Sequence, residues 1–317
     1  MTTGPGRSPA NTGLILGAVT YVLWGLFPLY FALLDSVSPI EVVAHRVVWC
    51  LVFLCVILSI SRGWRALLVV SHSRRTVGLL AVAAAFLSIN WGVYVYAVHI
   101  NKVVEASLGY FINPLVSVAL GVVILRERLR PLQWTGIGLA VSAVLVLSFA
   151  AGHPPWISLI LASSFGIYGL IKKVVGIGSV QSLAIETAAL APIALTLMIV
   201  AFADGSGALI HDGPGMTLLL ILLGPVTAIP LITFGAAATR IPLSTLGVLQ
   251  YLTPILQFIM GVTIFGEVMS SGQWLGFFIV WIALMVFTFD TLRQARRASG
   301  QRADVLDPGS LQVIEPD

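Results

Sequence analysis

Residues 113–136 read NPLVSVALGVVILRERLRPLQWTG, and residues 253–276 read TPILQFIMGVTIFGEVMSSGQWLG. At a constant offset of 140 positions, Pro114 falls on Pro254, Gly121 on Gly261, Glu127 on Glu267, Gln133-Trp134 on Gln273-Trp274 and Gly136 on Gly276. Weaker echoes precede them. Trp24-Gly25 resembles Tyr168-Gly169, and Ile40-Glu41 resembles Ile185-Glu186. The chain reads as a duplication, and the sequence around the two stretches sets its unit.

Of 317 residues, 58% are hydrophobic and 9% are charged, against roughly 25% charge in a soluble domain. Mean hydropathy is +1.01. Single soluble cores stop growing near this length, so the solvent that fits this composition is a lipid bilayer. A water-soluble enzyme, a disordered chain and a nucleic-acid binder are excluded. A spanning helix needs about 20 apolar residues. Ten such segments fall at 13–34, 40–60, 76–98, 103–125, 132–149, 156–174, 180–202, 215–238, 242–265 and 272–290. Polar or Gly/Pro-rich breaks separate them, such as Asp35-Ser36-Val37-Ser38-Pro39 and Asp204-Gly205-Ser206-Gly207. The first run is too long for a signal-peptide core and no small-residue cleavage site follows it. Pro28 is tolerable within it because neighbours can take up the freed backbone groups. The expected fold is all-α: a polar tail 1–12, a five-span repeat 13–149, a second 150–290, and a polar, disordered tail within 291–317.

Five is odd, so the two repeats cross the membrane in opposite directions. The 17 basic residues carry the same message. With the amino terminus in the cytoplasm, fifteen lie inside: Arg7, Arg62, Arg65, Arg74, Arg75, Arg126, Arg128, Arg130, Lys172, Lys173, Arg240, Arg293, Arg296, Arg297 and Arg302. Lys102 alone lies outside, and Arg46 lies within a span. That asymmetry is the positive-inside rule, and it accounts for the basic pI of about 9.3. Inverted repeats of this kind build many secondary transporters, with the substrate near the midplane between the halves.

Polar groups inside spans are functional candidates by default. Tyr110, Asn113 and Ser117 share one face of span four, and the repeat-equivalent Gln250, Thr253 and Gln257 share one face of span nine. Pro114 and Pro254 interrupt both helices in mid-span and free the carbonyls of Tyr110 and Gln250. Asn90, Trp91 and Tyr94, with Trp24 and Tyr251, add aromatic and amide surface. This set suits an organic substrate with an apolar body and a few polar groups; structural kinks and helix–helix hydrogen bonding are the rival reading. Glu41 and Glu186 are repeat-equivalent acids, Glu105 opens span four, His45 lies one turn after Glu41, and Arg46 needs a carboxylate or water. Low dielectric favours the neutral form of an acid, so these residues form either a proton relay or static ion pairs between Arg46 and one of the three acids. Glu127 and Glu267 read as helix-end caps, and Gly13/Gly17 and Gly272/Gly276 as close-packing pairs. Cys50 and Cys55 offer no metal or disulfide pattern.

The stretches WGLFPLY (24–30), EVVAHRVVW (41–49), EASLGYFINPL (105–115), RERLRPLQW (126–134) and PLSTLG (242–247) carry a family resemblance. The chain resembles the drug/metabolite transporter superfamily, within its EamA family, and most closely the RarD-type permeases, a family that carries a chloramphenicol-sensitivity label. The resemblance covers nearly the whole chain. It implies a ten-helix carrier in the plasma (inner) membrane, both termini cytoplasmic, working by alternating access on small organic molecules such as amino acids, metabolites or drugs. It also implies export over import. No cofactor, metal or nucleic-acid partner is expected; the partners are the lipid bilayer, a small-molecule substrate and, in the relay reading, protons. An ATP-driven pump lacks its GxxxxGK[ST] loop. A channel or uncoupled carrier, and more remotely a membrane-embedded enzyme, are the alternatives.

Overall fold

The computed structural model describes residues 9–126, 131–238, 240–241 and 243–305. Glu127, Arg128, Arg130, Pro242, Arg7 and residues 306–317 lie outside the described residues. The described chain is helical: α1 Pro9–Gly25, α2 Phe27–Ala32, α3 Pro39–Ile60, α4 Trp64–Ser71, α5 Arg74–His99, α6 Val103–Leu125, α7 Pro131–Ala151, α8 Trp156–Val175, α9 Ser179–Ala203, α10 Ala208–His211, α11 Gly213–Ala238, α12 Leu243–Leu249, α13 Leu252–Thr263 and α14 Ser271–Val305.

Local chemistry sets several ends. Ser38 accepts a hydrogen bond from the Glu41 N–H at 3.2 Å, with Pro39 at the first helical position, the N-terminal arrangement a helix favours. Ser73 does the same for α5 through the Thr76 N–H at 3.3 Å. Gly176, at φ 64°, closes α8 in the left-handed conformation.

Among the described residues, eight helical stretches are long and apolar enough to cross a membrane: Ala10–Ala32, Pro39–Ile60, Arg74–His99, Val103–Ile124, Pro131–Ala151, Ser179–Ala203, Gly213–Ala237 and Ser271–Asp290. Each matches one expected span. The other two expected spans are shorter apolar helices, Trp156–Lys172 and Leu252–Thr263. The first belongs to α8, a helix of 20 residues in all. The second is shortened because the chain leaves the helix at Gln250-Tyr251, between α12 and α13. Pro254 supplies no N–H to the Gln250 carbonyl, and the helix opens there, whereas α6 runs unbroken through Pro114. Two further differences stand out. The basic stretch 61–75, expected as a loop, contains α4, an exposed helix carrying Trp64, Leu68 and Val69 on its surface. The last helix continues past Asp290 to Val305, into the segment expected to be disordered. Its run of Leu, Gln, Ala and Arg residues is rich in strong helix formers.

The most extensive packing joins α7 to α14, α8 to α5 and α6, α3 to α9 and α11, α1 to α11 and α13, α6 to α13, and α5 to α9. Every one of these pairs joins the first half of the sequence to the second, so the halves interlock. Large apolar side chains such as Val123, Phe149, Ile199 and Met285 stay exposed on the outer faces, where lipid would meet them. At one end of the bundle Leu34, Val37, Val98, Val103 and Ala208 pack into a closed apolar layer.

Glycines set the closest approaches. A Cβ at Gly276 would collide with the Leu147 side chain on α7, and one at Gly272 with Ala150. Gly13 and Gly17 press against Arg240, Ile241 and Leu249 in the same way. Tightest is Gly224 on α11, where an added Cβ would strike the backbone carbonyl of Trp49 on α3. Backbone cannot step aside as a side chain can. Gly224→Ala is expected to cost about 1–3 kcal/mol and lower the melting temperature in detergent, while Gly138→Ala, which meets open space, leaves it unchanged. Equal melting of the two variants would disprove the α3–α11 contact.

Candidate functional site

A cavity of about 100 Å³ lies at the centre of the bundle, several times the 10–15 Å³ that one water needs on this measure. Its wall draws on α1, α2, α3, α5, α6, α8, α11, α13 and the break that precedes α13. Eleven of the expected site residues form it: Trp24, Arg46, Asn90, Trp91, Tyr94, Tyr110, Asn113, Gln250, Thr253, Pro254 and Gln257.

Backbone gaps anchor the polar part of this wall. Pro28 leaves the Trp24 carbonyl without its helical donor, and Gln257 Nε2 donates to it at 3.1 Å. Thr253 Oγ1 donates to the Tyr21 carbonyl at 2.7 Å. Asn90 Nδ2 donates across to α8, to the Leu161 carbonyl at 3.0 Å and Ser164 Oγ at 3.1 Å. Its Oδ1 accepts from the Tyr110 hydroxyl at 3.4 Å. Three buried atoms have no partner among the described residues: Tyr94 Oη, Asn113 Oδ1 and Gln257 Oε1. All three belong to residues of the cavity wall. An unsatisfied buried polar group costs about 1–3 kcal/mol, so these atoms mark where a ligand's polar groups would be welcome.

Ser117 and Tyr251 lie elsewhere. Ser117 shares its helix face with Asn113 but sits a turn further along, exposed and beside Gly166. Tyr251 is half-buried, packs into the apolar cluster around Leu108 and Phe111, and bonds the Thr288 and Gln250 side chains. Pro114 is buried within α6, off the cavity.

The charged residues do not join into one chain. Glu41 Oε1 accepts from the Ala208 N–H at 2.8 Å and stands 3.6 Å from His45 Nε2. His45 Nδ1 accepts from the Trp49 indole at 3.2 Å, which leaves the ring proton on Nε2, facing Glu41. Glu186 is fully buried and accepts from Lys172 Nζ at 2.7 Å, Ser182 Oγ at 2.6 Å and the Tyr168 hydroxyl at 3.2 Å. Glu105 Oε1 accepts from the Ile157 N–H at 3.2 Å. None of the three acids meets Arg46, contrary to expectation. Its Nε donates to Thr227 Oγ1 at 2.8 Å, and its guanidinium lies over Trp91 at 4.1 Å, Phe27 at 5.4 Å and Phe31 at 5.5 Å. Burying an ion costs several kcal/mol, and a desolvated cation–π contact returns about 2 kcal/mol. The acids are held by helix N-termini and a lysine, which sequence spacing within one helix does not reveal.

Several wall residues were missed by the sequence: Tyr21, Phe27, Phe165 and Tyr168. A signal for Tyr168 existed, since it is the repeat equivalent of Trp24. Thr227, the partner of Arg46, had none.

A match to the EamA-like transporter family covers residues 11–149. The RarD protein of Streptomyces exfoliatus is 50% identical over 288 residues, 91% of each chain. The RarD protein of Escherichia coli K12 is 40% identical over 90% of this chain and 97% of its own. The chain belongs to the EamA-like transporter family, among the RarD proteins. A solved crystal structure at 18% identity superposes with a TM-score of 0.58, over 89% of this chain and 98% of its own, which is a likeness of fold. RarD membership and the eight apolar helices make this a multi-pass membrane protein of a transporter family.

The site's far neighbour is a second cavity of about 180 Å³, lined by Lys102, Glu105, His153 and Glu267. Glu267, in the loop before α14, caps another helix: both its carboxylate oxygens accept from the Val104 N–H of α6, at 3.0 and 3.2 Å. Burial pushes its carboxyl up from 4.5 to about 7; the Val104 and Val103 N–H groups and Lys102 oppose the rise, and Glu105 adds to it. A raised pKa means that the folded state holds the proton more tightly than the unfolded chain. The stabilisation is complete below pH 4.5 and lost as the pH climbs through about 7. Compared with Glu267→Gln, the wild type is expected to lose a few degrees of melting temperature between about pH 5 and about pH 8. Parallel melting curves for the two proteins across that range would contradict the burial of this carboxyl.

Proposed function

We propose that this RarD protein is a secondary transporter of small amphipathic organic molecules, working by alternating access across the plasma membrane. The observation that carries the reading is the central cavity: both halves of the chain build it, aromatic rings line it, and three residues of its wall carry buried polar atoms with no partner among the described residues. Such a site is mostly apolar with a few placed polar groups, and it lies between repeats, where carriers bind.

The reading takes ten spans, the eight long helices together with α8 and α12–α13, as two inverted halves with both termini cytoplasmic. The packing pattern supports it. Exchanging each span of the first half with its equivalent in the second turns the α6–α8 contact into α13–α1, α5–α8 into α11–α1, and α3–α11 into α9–α5. The α7–α14, α3–α9 and α6–α13 contacts map onto themselves. A bundle with a two-fold axis in the membrane plane has this property. Export follows the family's association; no residue fixes the direction.

Proton coupling in this reading falls to Glu41 and His45, which stand 3.6 Å apart with no lysine against either, whereas Glu186 is paired with Lys172. A relative in Pseudomonas aeruginosa, 29% identical over 91% of this chain, is named a chloramphenicol-sensitive protein, and chloramphenicol is a suitable member of the test panel.

Vesicles of purified protein are expected to show saturable counterflow of at least one solute from an amino-acid, metabolite and drug panel. Asn113→Ala and Gln257→Ala should reduce that flux at least tenfold, and collapse of a pH gradient should slow the wild type but not Glu41→Gln. Non-saturating flux would favour a channel, and identical wild-type flux with and without the gradient would remove the proton from the mechanism.

A further inference from the structure

We infer that the central cavity selects organic carboxylates, anionic or zwitterionic, with the Arg46 guanidinium as the ligand for the substrate carboxylate. The inference rests on the carrier reading of that cavity and names its substrate class. Three observations lead to it. Arg46 is 4% exposed, and its side chain forms part of the cavity wall. A guanidinium offers five N–H donors and cannot shed its charge, yet among the described residues it gives one hydrogen bond, to the neutral Thr227 hydroxyl. Each acid that the sequence offers as its counter-charge is engaged elsewhere: Glu41 at the start of α10, Glu105 at the start of α8, Glu186 at Lys172.

The remaining contacts of Arg46 are aromatic faces, Trp91 nearest at 4.1 Å. Its other donors have no partner among the described residues, and the edge of a guanidinium is where a carboxylate binds through two parallel hydrogen bonds. Water in the cavity would hydrate this edge without neutralising it. The unpartnered Tyr94 hydroxyl shares the wall with Arg46 and offers a further donor. Asn113 Oδ1 and Gln257 Oε1 are acceptors without donors, so the substrate's other end should carry N–H or O–H groups. An aromatic or aliphatic body fits the rings between. A cation, by contrast, would enter beside an uncompensated positive charge and be repelled.

The test uses the full-length protein in detergent, with melting temperature and equilibrium binding as readouts. The probes are L-phenylalanine, 3-phenylpropanoate, L-phenylalaninamide and phenethylamine, each measured with and without added chloride. The two carboxylates should bind and stabilise the wild type, and the amide and amine should do so at least tenfold more weakly. Arg46→Lys, which keeps the charge but loses the fork, should weaken the carboxylates at least tenfold, and Arg46→Gln should abolish their binding. The wild-type ranking is read without any variant, so a misfolded Arg46→Gln protein does not blunt the test. Equal binding of amine and carboxylate, no binding by either carboxylate, or carboxylate binding retained in Arg46→Gln overturns the proposal. So does chloride that stabilises the wild type as strongly as the carboxylates, since Arg46 would then hold a resident counter-ion. Saturable counterflow of a neutral or cationic solute, uninhibited by the carboxylates, would sink the carboxylate assignment and leave the carrier reading standing. Carboxylate binding through Arg46 without any counterflow would do the reverse.

Discussion

A polar group inside a bilayer has no water to bond, so the bundle itself must answer it, and the architecture of this RarD protein follows from how each group is answered. Prolines open the backbone and side chains from other helices close the gaps. Pro28 strands the Trp24 carbonyl, and Gln257 from the opposite half fills the place. Carboxylates meet the bare N–H groups at the starts of helices: Glu41 at α10, Glu105 at α8, Glu267 at α6. A helix N-terminus carries partial positive charge and free donors, so an acid placed there is held without a cation. Each of these bonds crosses between helices distant in sequence, and together they tie the two halves across their shared boundary.

That boundary is also where the cavity lies. The halves do not sit side by side as two separate bundles; the long helices of one pack mainly on helices of the other. A cavity between such halves is shared by construction, and relative movement of the halves changes its wall on both sides at once. Backbone-to-backbone contacts such as Gly224 on Trp49 have no side chain to cushion them.

The fold was largely legible because its signals are periodic and redundant. Apolar runs of membrane length, breaks between them, and the offset-140 repeat all lie on the surface of the sequence. The expected span over 242–265 divides into α12 and α13 for a chemical reason written in the same stretch, Pro254 after Gln250. The site was legible in part. Residues that face inward on a single helix, such as Tyr110 and Asn113, follow from helical spacing, and both line the cavity. Partnerships did not follow. Charge alone pairs Arg46 with an acid, but its neighbours are Thr227 and three aromatic rings brought from other helices. Helix neighbours are a tertiary fact, and periodicity within one helix carries no trace of them. The helix α4 is hidden for a different reason: eight residues are too few to span a bilayer, and arginines flank and interrupt its apolar run.

The charge ledger of the bundle is uneven, and the unevenness bears on chemistry. Every intramembrane acid named above has donors within hydrogen-bonding distance, whereas the intramembrane arginine has one neutral oxygen and three π-faces. A structural ion pair would have placed one of those acids against Arg46, since three were available within the same bundle. Their engagement at helix termini and at Lys172 removes them from that role. The cation is thereby left on the wall of a cavity whose other unmet groups are a phenol and two amide oxygens. Stability alone is served better by an aliphatic side chain at that position, because breaking even with a buried charge needs a well-placed counter-charge. A guanidinium retained without one is better understood through what enters the cavity than through what surrounds it.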